Sequence, residues 1–177
     1  MNILLIGYRG TGKTTIAQAL ADQLKWQWVD ADVELERQAG MTIKQMFESQ
    51  GEPAFRDLEA KVLRELLGRP KIVLATCGGV VTREENRLAL KQSTAWVVWL
   101  KASVETIVAR ISADTSTAAR RPSLTQSPVA AEVAHLLQQR EPWYRECSHW
   151  EMDTEGKPPH LLAAEILARL PVSFAEL

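Results

Sequence analysis

The sequence is poor in cysteine and has no long hydrophobic run. Its 177 residues include only two cysteines, Cys77 and Cys147, which form neither a disulfide framework nor a C-x-x-C metal pattern. No apolar stretch approaches the length that crosses a membrane, and no signal-like segment precedes the first predicted strand. We therefore expect a cytoplasmic protein with reduced thiols, no secretory signal and no membrane partner.

The sequence also lacks an excess of charge of either sign. Lysine and arginine number 21 and aspartate and glutamate 22, so the formal net charge is −1. This balance gives no support for nucleic acid as a partner. With 46% hydrophobic and 24% charged residues, the composition is that of an ordinary globular protein, and the length favours a single domain over residues 1–177.

The strongest motif lies near the start of the chain. Residues 7–14 read G-Y-R-G-T-G-K-T, which matches the phosphate-binding P-loop pattern at every fixed position. The loop lies between a strand-like run, Ile3–Ile6, and a helical pattern, Lys13–Leu24. In that context its backbone N–H groups and the positive end of the helix can hold a phosphate, with Lys13 at the terminal phosphates and Thr14 at Mg²⁺. The predicted nucleotide-binding residues of the loop are Gly10, Thr11, Gly12, Lys13, Thr14 and Thr15.

Strand and helix patterns alternate along the chain, which predicts an α/β fold. The apolar runs do not alternate with polar residues, as is typical of parallel strands that are covered on both faces. The predicted strands are Ile3–Ile6, Gln27–Val29, Ile72–Thr76, Ala95–Leu100 and His149–Met152. The predicted helices are Lys13–Leu24, Asp32–Ala39, Thr42–Glu48, Ala54–Leu67, Arg83–Lys91, Val104–Ile111, Val129–Arg145 and His160–Leu170.

One long polar segment, at about residues 112–128, interrupts this alternation. It is rich in serine, threonine and alanine and carries Arg120-Arg121-Pro122. A loop of this length inside a compact domain is either a lid over a site or a disordered segment, and we favour a lid.

Two absences narrow the class of P-loop protein. The guanine-specific motif N-K-x-D is missing, and neither Thr76 nor Leu100 is followed by the acidic residue with which a hydrolytic ATPase organises metal and water. The second predicted strand is followed instead by Asp30 and Asp32, whose spacing lets one face a metal and the other an acceptor. This favours transfer to a bound hydroxyl over hydrolysis. A helix N-cap with an acid in the first turn would also place these residues there.

Further motifs follow in a fixed order. They are D-x-D at 30–32, F-R-x-x-E at 55–59, the glycines at 78–79, R-P at 121–122 and R-x-P-x-Y at 140–144. In this order and spacing the chain resembles the shikimate kinases, from Ile3 to about Leu170. The resemblance implies a cytoplasmic, monomeric enzyme of aromatic amino-acid biosynthesis that uses ATP and Mg²⁺ to phosphorylate the 3-hydroxyl of shikimate. It also implies a five-stranded parallel sheet in the order 2-3-1-4-5 between helices, with substrate-binding helices at about 32–60.

The resemblance further implies roles for individual residues at the phosphates. The catalytic residues would be Lys13, Asp32 and Arg121. Lys13 would contact the transferred phosphate, and Asp32 would orient the acceptor hydroxyl and take its proton. Arg121 would close over the transferred phosphate as part of the lid. Thr14 and Asp30 would hold the metal. Arg120 is either a helper of Arg121 or simply solvated.

At the acceptor, Arg56 and Arg140 would grip the carboxylate of shikimate, with Asp32 at its hydroxyl and the backbone of Gly78 and Gly79 close by. Glu59 could fix the rotamer of Arg56, because residues three apart share a helix face. The simpler interpretation of Arg56 is a surface arginine. Phe47 and Phe55 would line the pocket or belong to the core.

The sequence departs from the family at two places. Cys77 stands where one of three usual glycines is expected. The change would cost stability if the position needs a positive φ and little if it lies in the β region, and an exposed thiol would be reactive. The loop Asp153–Pro158 would face adenine but lacks the usual arginine, and Lys157 lies nearest to that position. Arg110 matches a position that stacks near adenine, although a solvated arginine in the last helical turn is an equal alternative.

Two other functions remain open from the sequence. One is a related kinase that acts on gluconate, a nucleotide or another polyol, against which the arginine pair argues. The other is a P-loop module that binds ATP without turnover, for which Cys77 would be the first sign.

Overall fold

The computed structural model describes residues 1–114 and 128–171. Residues 112–114 and 128 of the predicted lid belong to these ranges. Arg120 and Arg121 lie outside the described residues.

Five parallel strands form one sheet in the order β2-β3-β1-β4-β5, as predicted. Their bounds are Ile3–Ile6 (β1), Gln27–Asp30 (β2), Ile72–Ala75 (β3), Trp96–Lys101 (β4) and Trp150–Asp153 (β5). The central strand β1 pairs with β3 on one side and β4 on the other. The P-loop therefore leaves the sheet where the chain order switches, which is where open α/β sheets bind their ligands.

Seven helices belong to the described part of the chain. They are Lys13–Leu24 (α1), Ala31–Ala39 (α2), Ile43–Leu67 (α3), Glu84–Gln92 (α4), Val104–Ala113 (α5), Val129–Cys147 (α6) and Pro159–Ala168 (α7), and a short 3₁₀ turn spans Val80–Thr82. Helix α3 is kinked at Gly51, where φ is 81° and ψ is 172°. The predicted helices Thr42–Glu48 and Ala54–Leu67 are thus the two arms of one kinked element.

Two large clusters of buried residues cover the two faces of the sheet, and a smaller one around Tyr8, Ile107 and Val133 lies beside them. Leu4 and Ile6 of β1 point into a layer with α2, α3, α4 and α6, and Ile3 and Leu5 point into a layer with α1 and α7. Each of these four side chains is fully buried, which stabilises the fold by roughly 1.5–3 kcal/mol per residue. This explains why the strand pattern shows no alternation of apolar and polar residues. Among the described residues, no helix is long and apolar enough to cross a membrane.

Candidate active site

The P-loop folds back on itself at the N-terminus of α1. Gly10 and Gly12 have φ values of 81° and 89°, which residues with a side chain rarely adopt. The hydroxyl of Thr11 donates to the carbonyl oxygen of Tyr8 at 2.8 Å. Lys13 Nζ donates to the carbonyl oxygens of Gly7 and Tyr8 at 2.9 Å each. These bonds hold the ammonium group of Lys13 within the loop.

An open cleft of about 530 Å³ lies over this loop, within the usual size range of ligand pockets. Every predicted nucleotide-binding residue that the structure describes lines the cleft: Gly10, Thr11, Gly12, Lys13, Thr14, Thr15 and Arg110. Asp30 and Asp32 line it as well. The remaining predicted residue, Arg121, lies outside the described ranges.

Asp30 has two roles at the end of β2. One carboxylate oxygen caps α2 by accepting from the backbone N–H of Asp32 at 2.9 Å and of Val33 at 3.4 Å. The other accepts from the hydroxyl of Thr14 at 2.6 Å. The N-cap alternative is therefore confirmed for Asp30, which also lies beside Thr14, the other predicted metal ligand. Asp32 lies half-buried in the first turn of α2, on the nucleotide cleft.

Arg110 connects the P-loop to the loop after β5. Its guanidinium donates to the carbonyl oxygen of Gly10 at 3.2 Å and to the hydroxyl and carbonyl oxygens of Thr154 at 3.0 Å each. Arg110 is therefore held in place and is not a solvated last-turn arginine. The sequence did not single out Thr154, which is almost fully buried and lines the cleft with Lys157. The feature of the sequence that could have identified Thr154 is its position in the loop after the last predicted strand.

A second pocket adjoins the cleft, and Arg9 and Ile43 line both. All of the predicted substrate-binding residues except Asp32 line this second pocket: Arg56, Gly78, Gly79 and Arg140. Phe47 and Phe55 also line it, with ring centroids 4.8 Å apart. We call this pocket the arginine pocket.

Arg56 is buried and held from two sides. Its Nη1 donates to both carboxylate oxygens of Glu59, at 3.1 and 2.9 Å, and its Nε and Nη2 donate to Glu52 at 3.1 and 3.0 Å. The guanidinium also lies 5.0 Å from the centroid of the Phe55 ring. The surface alternative for Arg56 is thus wrong, and the predicted pairing with Glu59 is confirmed. Burial raises the pKa of Glu59, and the positive charge of Arg56 opposes that rise.

Close packing leaves no room for a side chain at 79 and little room for one at 78. A Cβ atom on Gly79 would lie 2.3 Å from Nη1 of Arg56, a side chain that Glu59 holds in place. A Cβ atom on Gly78 would lie 3.1 Å from the backbone nitrogen of Arg9 in the P-loop. The glycines therefore let the end of β3 approach both the P-loop and the arginine pocket.

Cys77 is accommodated without backbone strain. The described residues other than glycine that have positive φ are Lys25 and Lys71, so Cys77 does not need the conformation that favours glycine. Its side chain is buried, and burial together with the nearby carboxylates of Glu59 and Asp30 raises the pKa of the thiol. Cys77 is therefore neither strained nor a reactive thiolate.

Arg140 reaches the arginine pocket from α6. It is buried, its Nη1 donates to the carbonyl oxygen of Gly78 at 3.3 Å, and its guanidinium lies 5.6 Å from the centroid of the Tyr8 ring. Two guanidinium groups, from α3 and α6, thus line one small pocket beside a phosphate-binding loop. This arrangement suits an acceptor that carries a carboxylate.

Comparison with known proteins agrees with this geometry. The family model described as shikimate kinase matches residues 9–171. A shikimate kinase of Rhodopirellula baltica is 39% identical over 175 residues, covering 99% of this chain and 93% of the relative. A shikimate kinase of Pseudomonas syringae pv. syringae is 41% identical over 169 residues, covering 96% of this chain and 95% of the relative. A solved structure of the shikimate kinase from Acinetobacter baumannii in complex with shikimate has a TM-score of 0.87 and 40% identity, covering 94% of this chain and 90% of that one. The chain belongs to the shikimate kinase family.

Proposed function

We propose that this chain transfers the γ-phosphate of ATP to the 3-hydroxyl of shikimate, giving shikimate 3-phosphate and ADP. The observation that carries the proposal is that the P-loop cleft and the arginine pocket share Arg9 and Ile43 as walls. A phosphate on the loop and a carboxylated acceptor between the arginines would be neighbours. Holding the two reactants in this way removes much of the entropic barrier to transfer.

On the nucleotide side, the P-loop N–H groups and the N-terminus of α1 would hold the phosphates. Lys13 would move from its carbonyl partners to the terminal phosphates and follow the transferred group. The base would lie towards Arg110 and Thr154, where Arg110 already joins the P-loop to the loop after β5.

The oxygen atoms of Thr14 and Asp30 fit a magnesium ion. Mg²⁺ prefers oxygen ligands and keeps several waters, so one or two protein oxygens suffice. The hydroxyl of Thr14 lies 2.6 Å from a carboxylate oxygen of Asp30 in the wall of the cleft. When bound there, the ion would neutralise charge on the phosphates. We propose that Thr14 ligates it directly and Asp30 through water.

On the acceptor side, Arg56 and Arg140 would bind the carboxylate of shikimate, and the backbone of Gly78 and Gly79 would lie against its ring. Asp32 would hydrogen-bond the 3-hydroxyl, align its oxygen with the γ-phosphate and accept its proton. Because the transition state of phosphoryl transfer is mostly loose, this alignment contributes more than early deprotonation. Arg121 would complete the site from the lid by neutralising the transferred phosphate and excluding water.

We further propose that the chain works as a monomer in the cytoplasm and forms a single kinase domain over residues 1–177. Cys77 and Cys147, both free and buried, suit a reducing compartment. Size-exclusion chromatography with light scattering tests the monomer, since a dimer would double the mass of 19.8 kDa.

The test of function is ADP release in the presence of Mg²⁺ and ATP, with and without shikimate. Gluconate and nucleoside monophosphates serve as control acceptors at the same concentrations. ADP release that requires shikimate alone supports the proposal. Release with gluconate would indicate a different acceptor, and ATP binding without release in any mixture would indicate a module without turnover.

A further inference from the structure

The loop between β3 and α4 is held by side chains rather than by a strand ladder. The carbonyl oxygens of residues 78–82 all accept hydrogen bonds from side chains. Gly79 accepts from Thr82 Oγ1 at 2.8 Å, and Val80 accepts from Asn86 Nδ2 at 2.9 Å. Those of Val81 and Thr82 accept from Arg87 Nη1 at 2.9 and 3.3 Å. Each backbone carbonyl group of residues 78–82 is therefore held by at least one side chain.

The first carbonyl of the series, that of Gly78, has two side-chain donors, and both come from α6. They are Nη1 of Arg140, at 3.3 Å, and the hydroxyl of Tyr144. A peptide between two glycines can rotate easily, because neither residue has a Cβ atom to restrict it. Since the peptide is planar and trans, fixing the carbonyl of Gly78 also fixes the N–H of Gly79, which points the opposite way.

The ring of Tyr144 cannot drift from this position. It is fully buried and stacks on Trp99 of β4, with centroids 5.7 Å apart and planes 24° apart. Burial also raises the pKa of the Tyr144 hydroxyl, so the group remains a protonated donor at any working pH. A phenylalanine ring would pack in the same way at this position. What the hydroxyl of Tyr144 adds is the hydrogen bond to the carbonyl oxygen of Gly78.

We infer that Tyr144 is a positioning residue, whose hydroxyl fixes the Gly78–Gly79 peptide so that the Gly79 N–H faces the bound acceptor. The inference rests on the proposed function. The two donors differ in what else they would bind: Arg140 would be shared with the carboxylate of the acceptor, whereas the hydroxyl of Tyr144 donates to Gly78 and lies beside Arg140. When Arg140 turns to the carboxylate, Tyr144 keeps the peptide in place. Occupation of the arginine pocket therefore does not release the backbone that forms its wall.

The test compares Tyr144→Phe with Cys147→Ala. Cys147 lies one turn further along α6, in the same core layer, and does not line either pocket. Both variants lose buried contacts of the same helix, but only Tyr144→Phe removes the donor to Gly78. Thermal melts of both variants are recorded first, and the assays run at a temperature at which both chains are folded.

We expect Tyr144→Phe to lower kcat/KM for shikimate at least tenfold, mainly through KM, while the Kd for Mg-ADP stays within twofold. Cys147→Ala should leave all three quantities within twofold. A change below twofold in Tyr144→Phe, or an equal loss in Cys147→Ala, would overturn the inference.

A second measurement needs neither turnover nor a variant. In NMR spectra of the wild-type chain, the hydroxyl proton of Tyr144 should be protected from exchange with water, because it is buried and donates to the carbonyl oxygen of Gly78. A hydroxyl proton in fast exchange with water would contradict the inference. Because this readout is independent of shikimate, it separates failure of the positioning role from failure of the proposed activity.

Discussion

At the scale of single residues, Asp32 is where the two proposed reactants meet. Asp32 lines the nucleotide cleft but not the arginine pocket. It would therefore contact the acceptor where the two cavities meet, at Arg9 and Ile43, which line both. We expect Asp32→Asn to lower kcat by about 10²–10⁴-fold, because the amide can neither take the proton nor align the hydroxyl in the same way. Nucleotide binding should change little.

Steady-state kinetics with shikimate and a titration with Mg-ADP measure these two quantities. A kcat within a few-fold of the wild type would remove Asp32 from the mechanism. Weaker Mg-ADP binding with unchanged kcat would instead assign Asp32 to the nucleotide.

Arg140 allows a test of the carboxylate clamp. Removing a charge-assisted pair costs about 1.5–3 kcal/mol, so Arg140→Ala should raise the KM for shikimate on the order of 10–100-fold. The matched control is Arg145→Ala on the same helix, because Arg145 is exposed and pairs with Glu141 and Glu151 on the surface. Equal values of KM in the two variants would show that Arg140 does not bind the acceptor.

Cys77 should be a tolerated variation rather than a defect. Its backbone does not need a positive φ, and its thiol is buried beside Glu59. We expect Cys77→Gly to change kcat/KM less than threefold and to lower the free energy of unfolding by about 1–2 kcal/mol, through lost packing and a more flexible backbone. Chemical denaturation and the ADP-release assay measure both effects. A large gain in activity would mean that the cysteine strains the site after all.

At the scale of elements, α2 carries Asp32 and is fixed by the buried carboxylate of Glu34. Glu34 pairs with Arg37 at 2.8 Å and with Arg69, beyond the end of α3, at 3.2 Å. The hydrogen bonds from Arg37 are the main reason that the pKa of Glu34 falls from 4.5 to about 2. This cluster ties α2 to the far end of α3.

The pH dependence of stability tests this tie. Because the pKa of Glu34 is lower in the folded chain, its contribution is fully present above about pH 5 and is lost as the pH falls towards 2. Glu34→Gln should therefore lower the melting temperature at pH 7 by ~2–4 °C, for about 1 kcal/mol after screening by solvent around Arg37. The difference should vanish near pH 2. The exposed Glu48→Gln variant is the control, and a difference that persists at pH 2 would contradict the role of the Glu34 charge.

The sequence predicted most elements because their signals are local. Strand order and the P-loop followed from an apolar run, a glycine-rich motif and the resemblance, and the strand bounds differ from the structure by one residue at several ends. The resemblance placed Arg56 in the site, but spacing alone could not show that it is buried, because it shows that Glu59 shares its helix face and not that the guanidinium packs on Phe55. The hydrogen bond of Tyr144 could not be predicted either, because its partner Gly78 lies 66 residues away in the sequence.

At the scale of the whole molecule, the site joins parts of the chain that are far apart in sequence. The P-loop follows β1, Asp30 ends β2, Gly78 and Gly79 follow β3, and Thr154 follows β5. Because the strands are parallel, all of these meet at one edge of the sheet. Ligands bound there should hold the two core layers together through the elements that they contact.

The response of the whole fold to nucleotide measures this coupling. A ligand that binds only the folded chain stabilises it by about 2.7 kcal/mol at 100 times its Kd, which corresponds to roughly 5–10 °C in a domain of this size. We expect Mg-ADP to raise the melting temperature by this amount and Lys13→Ala to abolish most of the rise, because the ammonium of Lys13 would lie on the phosphates. AMP is the control ligand, since it carries the base and ribose but lacks the β-phosphate that Lys13 would bind. An equal rise with AMP, or an undiminished rise in Lys13→Ala, would place the nucleotide elsewhere than on the P-loop, and the proposal that joins the P-loop to the arginine pocket would fail with it.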